Sequence, residues 1–203
     1  ARHRRPRAHP RGRFRRAGAR RGRALAYYAL GRYRDMETEA SVLIGSQPMN
    51  AAGHSLRAIA RREMALSQHN KELLVDAVKD HDRAIGLSGA HDKRFAEFCS
   101  QRRDTLMQMG RFDQALADAQ TCVRLQSREP MHHFHLFCAL TALGDYQTAQ
   151  AEHDKILDSE LMNQMRFDCS AAKYVFDSLW AGQSWHSPGT RPDGSAFLAM
   201  HRA

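Results

Sequence analysis

Apolar residues recur along this chain in a helical rhythm that restarts several times. Over residues 95–109 they fall at Phe95, Phe98, Cys99, Leu106 and Met109, mainly three, four and seven apart, the spacing that lines up side chains on one face of an α-helix. A second run follows at once, with Phe112, Ala115, Leu116, Ala119, Cys122 and Val123. Between them stands Gly110. Glycine tolerates the positive φ that lets one helix end and the next begin within a few residues. The two runs predict an antiparallel helical hairpin. The segment Leu143-Gly144-Asp145-Tyr146-Gln147-Thr148-Ala149-Gln150, 34 residues on, repeats Met109-Gly110-Arg111-Phe112-Asp113-Gln114-Ala115-Leu116. In each, an apolar residue precedes glycine, an aromatic follows it two places on, and alanine comes three places later. Ala119 then falls on His153, Cys122 on Ile156 and Val123 on Leu157.

A third copy lies upstream. Leu30-Gly31-Arg32-Tyr33 has the same turn, Ala40, Leu43 and Ile44 follow in register, and Pro48 stops the segment. A fourth copy is degenerate. It has lost its glycine turn but keeps Asp76-Ala77-Val78 and Ala84-Ile85-Gly86-Leu87, and the 38 residues from Ala77 to Ala115 require an extra loop, placed at Ser88–Asp92. One such hairpin cannot bury its apolar face alone, so neighbours must stack. The small alanines let paired helices approach closely. About nine helices in antiparallel pairs are expected, with no sheet. After the last copy, Leu161, Met165, Ala172, Val175, Phe176 and Leu179 could form one side of a further helix over 161–181, the cap that a terminal repeat needs. Residues 182–203, rich in Gly, Ser and Pro and carrying Trp185 and Phe197, are expected to be irregular.

The 34-residue period and the Gly-x-aromatic-x-x-Ala turn resemble the tetratricopeptide repeat family. The resemblance covers roughly residues 17–160. It implies an all-α, right-handed solenoid of antiparallel hairpins, about four repeats plus the capping helix, with a concave groove lined by the first helix of each repeat. In the last two copies the implied groove residues are Glu97, Ser100, Asp104 and Met107, then Met131, Phe134, Cys138 and Thr141. That is an acidic-polar half beside an apolar half, and Met and Phe suit adaptable contact with a peptide or helix. The alternatives are that some of these residues pack against the next helix, or that the chain's own tail fills the groove. Some family members clamp the C-terminal carboxylates of heat-shock chaperones with Lys, Asn and Arg on three consecutive first helices. The matching places here hold Arg62 and Leu66, Gln101, and Met131 and His135. Only Arg62 keeps that character, so no such clamp is expected.

Charge adds an arm to this picture. The net charge is +9, yet residues 24–203 hold 20 Lys and Arg against 22 Asp and Glu. The excess is Arg2, Arg4, Arg5, Arg7, Arg11, Arg13, Arg15, Arg16, Arg20, Arg21 and Arg23, with no acidic residue among them. Residues 1–16 are read as a flexible basic arm. It could contact nucleic-acid phosphates, belong to a transit peptide, or be a solvated tail. Phe14 apart, no aromatic is interleaved before Tyr27 and Tyr28, so base stacking is poorly supported. No apolar stretch approaches the roughly 20 residues of a membrane span.

Candidate chemistry is sparse. Cys99, Cys122, Cys138 and Cys169 form no C-x-x-C pair and read as reduced, mostly buried thiols of an intracellular compartment. His132, His133 and His135 are dense enough for a transition metal, but no carboxylate or cysteine completes a ligand set at helical spacing. His81 and His153 both take the place of Ala119, where inter-helix hydrogen bonds are expected. There is no nucleophile elbow, P-loop or H-E-x-x-H. The reading is a non-catalytic scaffold without cofactors or metals that binds another protein in its groove. The alternative is a nucleic-acid-associated protein that binds weakly through the arm.

Overall fold

The structure is a computed structural model that describes residues 10–89 and 92–157. Among the described residues every regular element is α-helical. These elements are α1 (Pro10–Ala29), α2 (Tyr33–Ser46), α3 (Ala51–Gln68), α4 (Lys71–Ser88), α5 (Phe95–Gln108), α6 (Phe112–Leu125), α7 (Pro130–Leu143) and α8 (Tyr146–Leu157). The pairs α1–α2, α3–α4 and α7–α8 pack as the hairpins that the recurrence predicts, and a turn of the same kind joins α5 to α6. The predicted capping helix and the tail lie outside the described residues. The chain forms two compact units, residues 1–105 and 106–203. Within the first, α1 packs on α2, α2 on α3 and α3 on α4; within the second, α6 packs on α7 and α7 on α8.

Each hairpin tip is built alike. One residue takes a left-handed conformation: Gly31 (φ 68°), His69 (φ 52°), Gly110 (φ 72°) and Gly144 (φ 81°). The next N–H then reaches back five residues, from Arg32 to the Tyr27 carbonyl at 2.8 Å, Asn70 to Ala65 at 3.0 Å, Arg111 to Leu106 at 2.9 Å and Asp145 to Leu140 at 3.0 Å. This bond satisfies a carbonyl that the ending helix leaves open. The second copy has therefore kept the turn and lost only the glycine. Asn70 compensates as helix cap, its Oδ1 accepting from the N–H groups of Glu72 (3.0 Å) and Leu73 (3.4 Å).

That second hairpin is also longer. Its arms have 18 residues each, against 14 in each of α2, α5, α6 and α7. The extra loop also exists, since six residues part Ser88 from Phe95 whereas four part Leu125 from Pro130. The connections 47–50 and 126–129 share one conformation. Gln47 and Gln126 bond back to the Leu43 and Cys122 carbonyls, and Asn50 and Glu129 bond to the carbonyls of Gln47 and Gln126.

The N-terminal boundary differs from expectation. Residues 10–16, assigned to a flexible arm, are the first turns of α1. Arginine and alanine are good helix formers, so a helix can form there without an apolar stripe. Lower down, Ala24 is buried and Arg20 and Arg23 fasten the helix to Glu39 of α2 at 2.8 and 3.0 Å.

Cores form where small residues meet large ones. In the first unit Ala24, Met36, Ala40, Leu56 and Ala60 cluster, with Tyr27 and Ile59 packed alongside. In the second, Ala119 and Ala149 meet Leu136, Phe137, Cys138 and Leu140. Ala115 and Ala149 are 0% and 1% exposed. Replacing either with leucine should overpack the site and lower stability by about 1–3 kcal/mol in chemical denaturation; parent-like unfolding would disprove the repeat register. The tips give a second check. A Cβ at Gly110 meets open space, so Gly110→Ala should cost about 1 kcal/mol through φ alone. His69→Gly should cost nothing or stabilise. An equal loss in both variants would show that positive φ is not what the tips require.

Candidate functional site

The eight predicted groove residues stand on α5 and α7. In the first unit Glu97 is exposed, while Ser100 and Asp104 are half-buried. Asp104 accepts from Arg62 of α3 at 3.4 Å and from its neighbour Arg103 at 2.5 Å. Gln101 reaches Glu97 at 3.2 Å and also contacts Ser55 of α3. Arg62, the one residue with chaperone-clamp character, is thus engaged by Asp104 and by Glu63 at 2.6 Å. Burial works against its charge, but those two carboxylates hold its pKa above the ordinary guanidinium value.

In the second unit the α7 residues divide. Cys138 is 5% exposed and belongs to the core cluster, and Met107 on α5 is also 5% exposed. Both are buried, where the groove reading expects surface. Met131, Phe134 and Thr141 are half-buried. Phe134 packs against the cluster and stacks on Phe137 at 6.4 Å between centroids. Thr141 turns its hydroxyl onto the Phe137 carbonyl at 2.8 Å.

The histidines separate onto different partners. His132 Nε2 lies 2.7 Å from Gln126 Oε1, and His133 bridges Glu152 (2.7 Å) and the Ser127 carbonyl (2.9 Å). Among the described residues no three His, Cys, Asp or Glu side chains are placed to share a metal ion. His54 repeats the His133 arrangement, with Asp80 at 3.5 Å and the Pro48 carbonyl at 3.1 Å. Each is the fourth residue of its helix, and each reaches the carbonyl six residues back in the preceding connection.

Sequence reasoning missed what these histidines touch. The residue just before Ala40, His81, Ala119 and His153 is Glu39, Asp80, Asp118 and Glu152. Each copy therefore carries an acid one place before this repeat position, a signal present in the aligned copies. Asp80, 5% exposed, takes Arg57 at 2.6 Å and Arg61 at 2.9 Å from α3. Arg61 also bonds Glu37 of α2 at 2.8 Å. Hydrogen bonding to Asp80 pushes the Arg57 pKa up. Hydrogen bonds from Arg23 and then Arg20 hold the Glu39 carboxyl below its usual range. At Glu152 burial opposes ionisation, yet Lys155 and His133 outweigh it and the pKa falls.

The arm residues also divide. Arg20 and Arg23 are committed to Glu39, and Arg21 is exposed on α1. Arg11, Arg13, Arg15 and Arg16 lie on the α1 backbone, and Arg2, Arg4, Arg5 and Arg7 lie outside the described residues. No helix among the described residues is long and apolar enough to cross a membrane. Cys99, Cys122 and Cys138 are buried; Cys169 is outside the described residues.

No family model matches the sequence, and no curated protein matches it. A solved structure from a study titled "Functional Characterization of Pseudomonas Aeruginosa pilF" aligns with 93% of this chain and 99% of its own, at 15% identity and a TM-score of 0.40. That likeness is too slight to carry a family or an activity across to this chain.

His81 does not form the expected inter-helix hydrogen bond. His153 bonds its neighbour Asp154 at 3.3 Å and lies by the Phe137 ring, while both nitrogens of fully buried His81 have no hydrogen-bond partner. Burial, with Arg62 and Arg102 adding to it against Asp104, pushes the His81 pKa down to about 3. The unfolded chain, titrating near 6.5, therefore binds this proton first. Stability from neutral His81 is complete above about pH 6.5 and is lost as pH falls toward 3. His81→Leu should remove up to about 1.4 kcal/mol of pH dependence per unit across that window. Parallel stability–pH curves for variant and parent would contradict this.

Proposed function

We propose that this chain is a non-catalytic scaffold that binds another protein, and that the apolar side of α7 is where an amphipathic peptide or helix docks. The observation that carries the reading is Phe134. It is half-exposed, but its ring is held by Phe137 and the cluster beneath, so little side-chain entropy is lost when a partner covers it. Met131, one turn before it and equally half-buried, adds an adaptable apolar contact. The whole helix supports this reading, since Pro130–Leu143 carries no Asp, Glu, Lys or Arg. A helix that is apolar on all sides favours being covered on all sides.

The internal engagement of Arg62 by Asp104 and Glu63 argues against a carboxylate-clamping mode and for apolar anchoring. Buried, reduced thiols fit a reducing compartment.

The test begins with a ligand chosen from a random peptide library on phage and measured by calorimetry. Met131→Ala and Phe134→Ala should each weaken it by about 1–2 kcal/mol, with Met131→Ala leaving the melting temperature unchanged. Affinity that survives both substitutions would reject this face. A chain truncated after Gly182 should bind equally well; tighter binding would show that the chain's own tail competes for the site.

A further inference from the structure

We propose that the outer face of α1 binds the phosphate backbone of duplex DNA without regard to sequence. Residues 1–34 contain thirteen arginines and no acidic residue or lysine. Among the described side chains Arg20 and Arg23 are drawn to Glu39, and Arg32 to Asp35 at 2.8 Å. Those contacts, with buried Ala24, define the side of α1 that faces α2.

The other side is open. A Cβ added at Gly18 or Gly22 would meet nothing within 4 Å, Arg21 is exposed, and Leu25 is 46% exposed. In the register of a continuous helix, residues 11, 15, 18 and 22 succeed one another at steps of four, three and four, so they share one face. That face joins two arginine positions to two glycines, with Arg21 beside them. Glycine leaves the backbone bare, so a broad rod can approach closely while guanidinium groups bond its oxygens. Arginine without lysine suits this, because its planar fork grips phosphate in two places.

The same features choose among polyanions. A helix of about 10–12 Å diameter fits the B-form major groove, about 12 Å wide, whereas the A-form groove of duplex RNA is deep and narrow. Single strands are held by stacking on successive aromatics, and this side of α1 offers one position of that kind, Phe14. An anionic membrane would call for a broad apolar face on the helix, where Gly18 and Gly22 stand instead.

The experiment measures anisotropy of a labelled 20-base-pair duplex DNA of random sequence over a range of salt. Log affinity should fall linearly with log salt, with a slope of about −0.9 per phosphate contacted. Combining Arg11→Ala, Arg15→Ala and Arg21→Ala should make the slope shallower by about two to three, with the far-UV melting curve unchanged. The matching triple lysine variant should keep the parent slope. An unchanged slope in the alanine variant, or no binding by the parent at low salt, overturns the proposal. So does parent chain that binds duplex RNA or anionic phospholipid vesicles more tightly than DNA, a comparison that needs no variant.

Discussion

A single backbone conformation governs this molecule. At each hairpin tip one residue must enter the left-handed region so that the following N–H can reach the carbonyl five places back. That bond fixes where the second helix starts and how it is rotated about its axis. All later contacts inherit that rotation. Because the tips share it, an acid recurs eight places beyond Gly31, Gly110 and Gly144, as Glu39, Asp118 and Glu152, and the longer second hairpin moves it to eleven places beyond His69.

The same rotation brings an acid from each second helix into the interior. Glu39 and Asp80 find cations on the helix before them, Arg20 and Arg23 and then Arg57 and Arg61, and Glu152 finds the ring of His133. Taking such charges out of water costs nearly as much as the pairing returns. Their contribution is to the choice of register more than to net stability. A hairpin slipped by one residue would bury an acid without a partner, which is costly. His81 shows the opposite bargain: it is packed as a neutral ring with no hydrogen bond and is tolerable only while it stays unprotonated.

The glycine turns were legible because three of the four tips use the residue best suited to positive φ. The second tip was hidden. His69 adopts the same conformation without announcing it, and the extra length of α3 and α4 breaks the 34-residue period just there. The start of α1 was hidden for another reason. An arginine-rich segment has no apolar stripe, and its helix follows from propensity and from the anchor at Glu39. Periodicity also could not separate Met131 and Phe134 from Met107 and Cys138. All four repeat at helical spacing, and only the packing of neighbouring helices decides which are covered. The buried acids could have been found by aligning the copies one place before the alanine contact.

The longer second hairpin carries a rule about how such chains can change in length. From His54 to its left-handed residue is 15 positions, against 11 from His133 to Gly144, and from there to the paired acid is 11 against 8. The first arm has gained four residues and the second three. Together that is seven, two helical turns within a fraction of a residue. Each arm grew by about one full turn, so His54 still faces Asp80. An insertion at a tip that adds much less or more than a whole turn to either arm would swing the acid away from its histidine. Viable length variants of these hairpins should therefore come in steps of about seven residues.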